Sequence, residues 1–299
     1  MNLLKLLDWD SSRISEIIEL ASEVKETPEN YSKGLEGKTL AMLFQKTSTR
    51  TRASFEAGMT QLGGHAIYLD WRATNFTLGT IQDEVKCLGQ YVDIIMARVF
   101  RHEDIEAISG ASSRPVINGL CNLWHPCQAL GDLLTLKEKK GSLKGLKLAY
   151  VGDGNNVCNS LIVGCSKLGV HVSAATPKQY KPLQDAASFG ENSGNYSWAE
   201  SPAAAVKDAD AVYTDTWVSM GQEQETKDRE RVFPPYQVNG KLMALAKKDA
   251  IFMHCLPAHR NREVADSVID SKQSVVFDQA GNRLHVQKAV LLKLLGKAG

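Results

Sequence analysis

The sequence predicts an α/β protein built from two parallel sheets flanked by helices. Apolar runs of strand length alternate with amphipathic helical patterns along the chain, which is typical of parallel βαβ units. A chain of 299 residues is long enough for about two domains of ordinary size. The pattern restarts after Lys139-Lys140-Gly141-Ser142, so we place a second, Rossmann-like domain from residue 140.

The first half begins with a helix after Asp10-Ser11-Ser12. Apolar residues recur there at helical spacing, and Thr27-Pro28 ends the pattern. Further along, amphipathic stretches predict helices and uninterrupted apolar runs predict buried strands. Strands are expected at residues 38–44, 65–69, 92–97 and 115–118; helices are expected at 53–62, at 80–91 and from Pro126, with a loop at 70–79.

The second half alternates in the same way. Residues 224–231 are dense in charge, so we expect an exposed loop or frayed helix there that can move. Arg283 is expected at the start of a C-terminal helix, where an arginine is electrostatically unfavourable unless an anion is near. Strands are expected at residues 146–151, 170–175, 210–214, 251–253 and 274–277, and helices at 157–168, 201–206 and 283–295.

Charge and composition exclude several classes of function. The formal net charge is +1, so no global positive field exists to hold nucleic acid or an anionic membrane. No apolar run reaches the roughly 20 residues that a membrane-spanning helix needs. The six cysteines form no C-x-x-C pair and no zinc-type spacing with histidine. We therefore expect a cytoplasmic protein without nucleic-acid or membrane partners.

A hydroxyl-rich turn with two arginines follows the first predicted strand. Ser48, Thr49, Arg50, Thr51 and Arg52 stand where a helix is expected to begin. The first N–H groups of a helix lack intrahelical partners and its dipole favours negative charge, so this turn can cradle a phosphate. The alternative is an N-cap with solvated basic residues, and the local pattern leaves both open.

Other polar side chains follow the ends of predicted strands. Arg98, Asp215 and Cys255 each come directly after an apolar run, and His125 follows the strand at 115–118. In parallel sheets, ligands bind beyond the carboxyl ends of the strands. A histidine such as His125 is by itself more often structural, but its position at a strand end favours a binding role.

A glycine-rich turn at residues 152–156 resembles a dinucleotide-binding fingerprint only in part. Val157 occupies the third glycine position of G-x-G-x-x-G, and the next strand ends in Thr176-Pro177 without an acidic residue. Both features are needed to hold a dinucleotide, so the sequence argues against a nicotinamide cofactor.

Four stretches together carry a resemblance to a known family. They are Ser48-Thr49-Arg50-Thr51-Arg52, His125-Pro126-Cys127-Gln128, Asp215-Thr216-Trp217-Val218-Ser219-Met220-Gly221 and His254-Cys255-Leu256-Pro257. In these motifs and in their order the chain resembles the aspartate/ornithine carbamoyltransferases, and the third and fourth are similar to the ornithine-type motifs. The resemblance extends from about residue 35 to the C-terminus.

The resemblance implies a fold and an activity. It implies two Rossmann-like domains linked by long interdomain helices: residues 1–139 bind carbamoyl phosphate, residues 140–281 bind ornithine, and a C-terminal helix at about 282–299 packs back onto the first. The reaction implied is transfer of a carbamoyl group from carbamoyl phosphate to the δ-amine of L-ornithine, giving L-citrulline and phosphate. No metal and no cofactor are implied.

Site residues follow from the family motifs. For carbamoyl phosphate, the resemblance implies Ser48, Thr49, Arg50, Thr51, Thr77, Arg98, His125, Gln128, Cys255, Leu256 and Arg283. For ornithine, it implies Asn156, Asp215, Ser219, Met220 and Cys255. Arg50, Arg98, His125, Cys255 and Asp215 are the expected catalytic residues. Cys255 with Asp215 is the expected pair for positioning the amine and handling its proton, and which of the two accepts that proton stays open.

One position departs from the family pattern. Related enzymes often supply a glutamine or histidine from a neighbouring subunit just before a Leu/Ile-Gly pair, and here Thr77 precedes Leu78-Gly79. A threonine can still donate a hydrogen bond, but its reach is shorter. The resemblance implies a homotrimer, or a multiple of trimers, with shared active sites.

Three competing hypotheses remain. The acceptor could be aspartate, putrescine or an acylated ornithine, although Asp215 would repel the second acid group of aspartate. A nicotinamide-dependent oxidoreductase would need the incomplete fingerprint at 152–156. A non-catalytic binding protein on this fold should have lost motif residues, whereas all four motifs are intact.

Overall fold

Two compact units make up the protein, and each contains one parallel sheet. The computed structural model describes residues 1–218 and 223–297. One unit comprises Met1–Leu134 and the residues from Asn282 onward, and the other comprises Thr135–Gly281. The predicted α/β class with two helix-flanked parallel sheets is confirmed.

The first unit contains a four-stranded sheet in the order β2-β1-β3-β4. All its pairings are parallel. Helices cover both faces of a parallel sheet, so the central strands β1 and β3 are buried and almost entirely apolar. The edge strand β2 is only half-buried. The strands are β1 (Thr39–Phe44), β2 (His65–Asp70), β3 (Ile94–Arg98) and β4 (Val116–Leu120).

The second unit contains a five-stranded sheet in the order β7-β6-β5-β8-β9, again with parallel pairings throughout. Apolar residues from its strands and helices, Ala149, Val212 and Phe252 among them, form a buried core. The strands are β5 (Lys147–Val151), β6 (His171–Ala175), β7 (Tyr196–Trp198), β8 (Ala211–Thr214) and β9 (Ile251–His254).

Helices occupy the connections between these strands. They are α1 (Ser11–Glu26), α2 (Thr49–Gln61), α3 (Ile81–Leu88), α4 (His102–Ala111), α5 (Pro126–Lys140), α6 (Asn156–Lys167), α7 (Gln184–Asn192), α8 (Pro202–Val206), α9 (Thr226–Val232), α10 (Gly240–Met243), α11 (Asp266–Ile269) and α12 (Val276–Leu294). The unit boundaries fall inside α5 and α12. Within the described part of the chain, none of the helices has the length and apolar character needed to cross a membrane.

The predicted C-terminal strand is wrong. Residues 274–277 were expected to be extended, but α12 already begins at Val276. Only Ser274 makes an isolated bridge, to Phe252. Arg283 therefore lies inside the helix rather than at its start, and the expectation that a helix N-terminus would place an anion beside it is wrong as well.

The charged segment at 224–231 also differs from its prediction. Residues 226–232 form α9, and one arginine of this helix, Arg229, is buried with only 2% of its surface exposed. Its neighbours in the segment are mostly exposed, as expected. A buried arginine was not expected in a run so rich in charge, because its partner, Asp153, is distant in sequence.

Candidate active site

Strand order places the predicted site residues at two switch points. In the first sheet the chain passes from β1 to β2 on one side and then to β3 on the other, so the carboxyl ends of β1 and β3 flank a crevice. Residues 45–52 follow β1, and Arg98 ends β3. The second sheet reverses between β5 and β8, whose ends lead to Asn155 and Asp215.

The hydroxyl-rich turn after β1 is a capped helix start. Ser48 is the N-cap of α2, and its Oγ accepts a hydrogen bond from the backbone N–H of Thr51 at 3.3 Å. Thr49 is the first residue of the helix and is exposed, whereas Thr51 is fully buried. The expected N-cap is therefore present, although Arg50 is only half-exposed and not fully solvated. A capped N-terminus keeps further N–H groups for an anion, so the cap does not exclude the phosphate cradle.

Three arginines converge on His125, and we call these four residues the arginine cluster. Burial, then the charges of Arg283, Arg98 and Arg50, lower the pKa of His125 well below its usual value. The imidazole is 5% exposed and consequently stays neutral at physiological pH. The structure thus brings together four side chains that were predicted from separate parts of the sequence, at the ends of β1 and β3, at the start of α5 and in α12.

Arg283 reaches the cluster from the interior of α12. Its Nη2 donates to Oγ1 of Thr51 at 3.0 Å. Gly131 of α5 permits this approach, because a Cβ atom at that position would lie 3.2 Å from Cγ of Arg283. A side chain at residue 131 would therefore require Arg283 to shift by a few tenths of an ångström.

Two polar atoms near the turn and at the start of α5 are buried without a hydrogen-bond partner among the described residues. These are Nε of Arg50 and Oε1 of Gln128. The amide nitrogen of Gln128 donates to the buried carboxylate of Asp132 at 2.8 Å, which fixes the orientation of the amide. Sequence reasoning missed Asp132, although its i, i+4 spacing from Gln128 on a helix was a usable signal. The arginine cluster with these donors and acceptors is suited to an anion that also carries an amide-like group.

In the second unit, Asp215 and Cys255 form a carboxylate–thiol pair. Sγ of Cys255 donates to Oδ1 of Asp215 at 2.9 Å. The same oxygen accepts the backbone N–H of Thr216 at 2.7 Å, and Oδ2 accepts Nδ2 of Asn155 at 2.7 Å. Three donors therefore hold one buried carboxylate in place.

Asn155 was not among the predicted site residues. It caps α6, with its Oδ1 accepting the N–H groups of Val157 and Cys158 at 3.0 and 3.2 Å, while its amide nitrogen binds Asp215. The cap was readable from the sequence, since asparagine before a helical pattern is a common N-cap. The bond to Asp215 was not readable, because it joins residues 60 positions apart.

His254 lies next to Cys255 and is fully buried. Its Nδ1 accepts the backbone N–H of Leu256 at 2.8 Å, and its Nε2 lies 3.4 Å from Oε1 of Glu263. Asp215, His254 and Cys255 have potential metal-ligand atoms within 4.8 Å of one another. Nδ1 of His254 and the thiol of Cys255 already make hydrogen bonds within the protein, so a metal would have to displace these contacts.

The remaining predicted residues have differing positions. Asn156 is the buried first residue of α6, beside Asn155. Leu256 follows β9 with a positive φ of 57°, an uncommon conformation for leucine that turns the chain at the strand end. Thr77 is exposed, and its Oγ1 donates to the carbonyl of Thr74 at 3.0 Å. Ser219 and Met220 lie outside the described residues.

Comparison with known families matches both units. A family model described as "Aspartate/ornithine carbamoyltransferase, carbamoyl-P binding domain" matches residues 1–138, and one described as "Aspartate/ornithine carbamoyltransferase, Asp/Orn binding domain" matches residues 144–294. The chain belongs to the aspartate/ornithine carbamoyltransferase family.

Individual members of the aspartate/ornithine carbamoyltransferase family resemble this chain over nearly its whole length. The ornithine carbamoyltransferase of Pyrococcus horikoshii is 52% identical, covering 99% of this chain and 96% of the relative. The structure of ornithine carbamoyltransferase from Pyrococcus furiosus has a TM-score of 0.95 and 50% identity, covering 99% of this chain and 97% of that one. A structure of N-acetyl-L-ornithine transcarbamylase has a TM-score of 0.88 and 30% identity, covering 98% and 99%.

Proposed function

We propose that this protein transfers the carbamoyl group of carbamoyl phosphate to the δ-amine of L-ornithine, giving L-citrulline and phosphate. The observation that carries the proposal is the arginine cluster around a buried, neutral His125. Three guanidinium groups match a doubly charged phosphate, and a neutral imidazole can donate its N–H to a carbonyl oxygen. The reaction would serve the synthesis of arginine, in line with a 50% identical relative named as anabolic.

The first unit would bind carbamoyl phosphate. We assign its phosphate to Ser48, Thr49, Arg50 and Thr51 at the start of α2, with Arg98 and Arg283. We assign the carbamoyl group to His125 and Gln128, whose buried Oε1 can accept from the carbamoyl NH₂. Negative charge grows on the phosphate as the C–O bond breaks, so the arginines stabilise the transition state more than the ground state.

The second unit would bind ornithine. Asn156, Ser219 and Met220 are assigned to its α-amino and α-carboxylate end, and Asp215 and Cys255 to its amine chemistry. The δ-amine must lose a proton before its lone pair can attack the carbamoyl carbon, because free amines of this kind titrate near pKa 10. Since the thiol donates to the carboxylate, we assign Asp215 as the proton acceptor of the pair and Cys255 as its hydrogen-bond donor. The Leu256 carbonyl would accept a hydrogen bond from the carbamoyl group or the amine.

We also propose a homotrimer in which Thr77 contributes to a neighbouring subunit's site. Thr77 is exposed, and the side chain of the adjacent Leu78 is 83% exposed, so both residues are accessible to such a neighbour. Sedimentation equilibrium would report about three times the 32.8 kDa chain mass, and a monomer that is fully active would exclude the shared site.

A second acceptor is the main alternative within the family. The similar N-acetyl-L-ornithine transcarbamylase shows that this fold also carries an enzyme named for an acylated acceptor. In this chain, a buried carboxylate held by Asn155 and Thr216 matches an amine and opposes the second acid group of aspartate. We therefore expect L-ornithine to be preferred.

A panel of acceptors tests the proposal. The purified enzyme is supplied with carbamoyl phosphate and with L-ornithine, N-acetyl-L-ornithine, putrescine or L-aspartate, and each carbamoylated product is quantified by mass spectrometry. We expect saturable formation of citrulline. The other acceptors should have a kcat/KM at least about 100-fold lower, because they would leave polar groups of the site without partners. Turnover of another acceptor without citrulline would overturn the assignment, and Asp215→Asn should abolish turnover without preventing phosphate binding.

A further inference from the structure

Arg229 of α9 is a buried cation in an otherwise exposed segment. Only 2% of its surface is exposed, whereas Lys227, Asp228, Glu230 and Arg231 beside it are exposed. Burying a guanidinium group is costly unless it is paired and hydrogen-bonded, so its partners identify what it holds in place.

One nitrogen of Arg229 joins two turns of the second unit. Nη1 lies 2.8 Å from Oδ2 of the buried Asp153, and it donates to the carbonyl of Trp217 at 2.8 Å. Nε donates to Glu225 at 3.0 Å, and the guanidinium group lies 4.4 Å from the ring centroid of Tyr180. The planar guanidinium group therefore contacts a carboxylate, a carbonyl and an aromatic ring at the same time. A lysine ammonium on a flexible chain cannot reproduce this set of contacts.

The two turns joined by Arg229 are those that carry the ornithine-side carboxylate and its partner. Asp153 stands in the turn after β5, two residues before Asn155. Trp217 stands in the turn after β8, two residues beyond Asp215. Asn155 and Asp215 are themselves joined by a 2.7 Å hydrogen bond. The Asp153–Arg229–Trp217 bridge is therefore a second connection between the turns after β5 and β8.

The geometry points to Arg229 as a positioning residue for ornithine: by bridging Asp153 and Trp217 it fixes the Asn155–Asp215 pair at the distance that amine binding requires. The inference rests on the proposed function and extends it to a residue outside the recognised motifs. Arg229 acts through its two neighbours, so its loss should affect the amine acceptor more than carbamoyl phosphate, whose proposed phosphate ligands all belong to the first unit.

Steady-state kinetics of Arg229→Met test this role. We expect the KM for L-ornithine to rise about tenfold or more, because small displacements of a binding group have large effects. The KM for carbamoyl phosphate should change by less than about twofold, as expected for a site outside the bridge. Arg229→Lys should be intermediate, since an ammonium keeps the charge for Asp153 without the planar fork. Arg231→Met is the matched control, because Arg231 is exposed on the same helix and pairs with the exposed Asp228.

A double variant separates positioning from a general loss of stability. Arg229→Met alone leaves Asp153 as a buried acid without its cation, whereas Arg229→Met with Asp153→Asn leaves no uncompensated charge. If Arg229 positions the pair, the double variant regains thermal stability but keeps the raised KM for ornithine. If the KM returns to the wild-type value, or if the KM values of both substrates rise equally in Arg229→Met, the positioning role is wrong.

A second readout does not depend on turnover. The Cys255 thiol donates a hydrogen bond to Oδ1 of Asp215, so displacing Asp215 should release the thiol and speed its alkylation by iodoacetamide. Peptide mass spectrometry follows Cys255 and, as a control for local unfolding, the fully buried Cys158 and Cys165 of α6. Faster alkylation of Cys255 alone supports the role, and unchanged alkylation contradicts it. If the wild-type enzyme makes no citrulline, the proposed function fails, while this measurement still tests the position of Asp215.

Discussion

His125 has the chemistry of a neutral hydrogen-bond donor because of its surroundings. Burial and the nearby guanidinium groups of Arg283, Arg98 and Arg50 all oppose a positive charge on the ring, so its pKa lies well below the usual value. A protonated imidazole would release its proton to the substrate as an acid. In the proposed reaction, a neutral imidazole would polarise the carbamoyl carbonyl at any pH above its lowered pKa, which includes the whole physiological range.

Replacement of this histidine tests that assignment. We expect His125→Gln to lower kcat by about 100-fold, the usual effect of losing a donor to a developing oxyanion. Because the group that is removed does not titrate above its lowered pKa, the loss should be equal at pH 6 and pH 9. A rate ratio between wild type and variant that changes through pH 6.5 would show that the imidazole titrates there.

A second buried histidine of the first unit is a matched control. His102 also has a lowered pKa caused by burial, and it contacts Sγ of Cys121 at 3.3 Å rather than the arginine cluster. His102→Gln should therefore leave kcat unchanged once folding is verified by circular dichroism. A comparable loss of kcat in both variants would mean that the effect of His125→Gln is structural.

Among the helices, α2 begins with a residue to which we assign two roles, capping the helix and binding phosphate. The Ser48 hydroxyl caps the helix through the N–H of Thr51, and the same turn is assigned to the phosphate. A cap of this kind contributes about 1 kcal/mol to stability. The helix dipole and the remaining N–H groups then act on an anion only if the turn is in place.

Ser48→Ala separates these roles when it is compared with a pure cap. Asp10 caps α1 by accepting the N–H of Arg13 at 2.7 Å, and no binding role is assigned to it. We expect each alanine variant to lose about 1 kcal/mol of unfolding free energy in urea titrations. Only Ser48→Ala should also raise the KM for carbamoyl phosphate; equal KM values in the two variants would remove Ser48 from the phosphate site.

Helix α12 shows where prediction from local pattern failed. Ser274, Val275, Val276 and Phe277 are β-branched or aromatic apart from the serine, and such residues favour strands. In the structure Val276 starts a helix and is buried in the core of the second unit. Tertiary packing outweighs a propensity worth a few tenths of a kcal/mol per residue, and nothing local reports that packing.

The strand ends were predictable because a local sequence pattern marks them. Arg98, Asp215 and Cys255 each follow a continuous apolar run, and the parallel topology that such runs imply sends those ends to one edge of a sheet. The sequence could not reveal Arg229 beside Asp153, because the ion pair joins residues 76 positions apart in sequence and no periodic pattern marks either partner. Contacts of that kind depend on the packed structure alone.

For the whole molecule, net charge and local charge have different consequences. A formal charge of +1 provides little long-range attraction for an anionic substrate, so we expect binding to come from the buried and half-buried cations of the arginine cluster. Interactions at such short range are weakly screened by salt. A ligand that binds only the folded protein also stabilises it, by about 2.7 kcal/mol at a concentration 100 times its dissociation constant.

Stabilisation by inorganic phosphate should therefore depend on Arg50 and not on its neighbour Arg52. Nε of Arg50 is a buried donor without a partner among the described residues, whereas exposed Arg52 already pairs with Glu56 at 2.9 Å and lies 4.0 Å from the ring centroid of Tyr68. In thermal unfolding with and without phosphate, wild type and Arg52→Ala should show the same rise in Tm. Arg50→Ala should show little or none, because the anion loses a charge-assisted donor that its neighbour cannot replace. An equal rise in all three proteins would mean that phosphate binds elsewhere, and equal loss in both variants would assign the effect to the charge of the helix start rather than to Arg50.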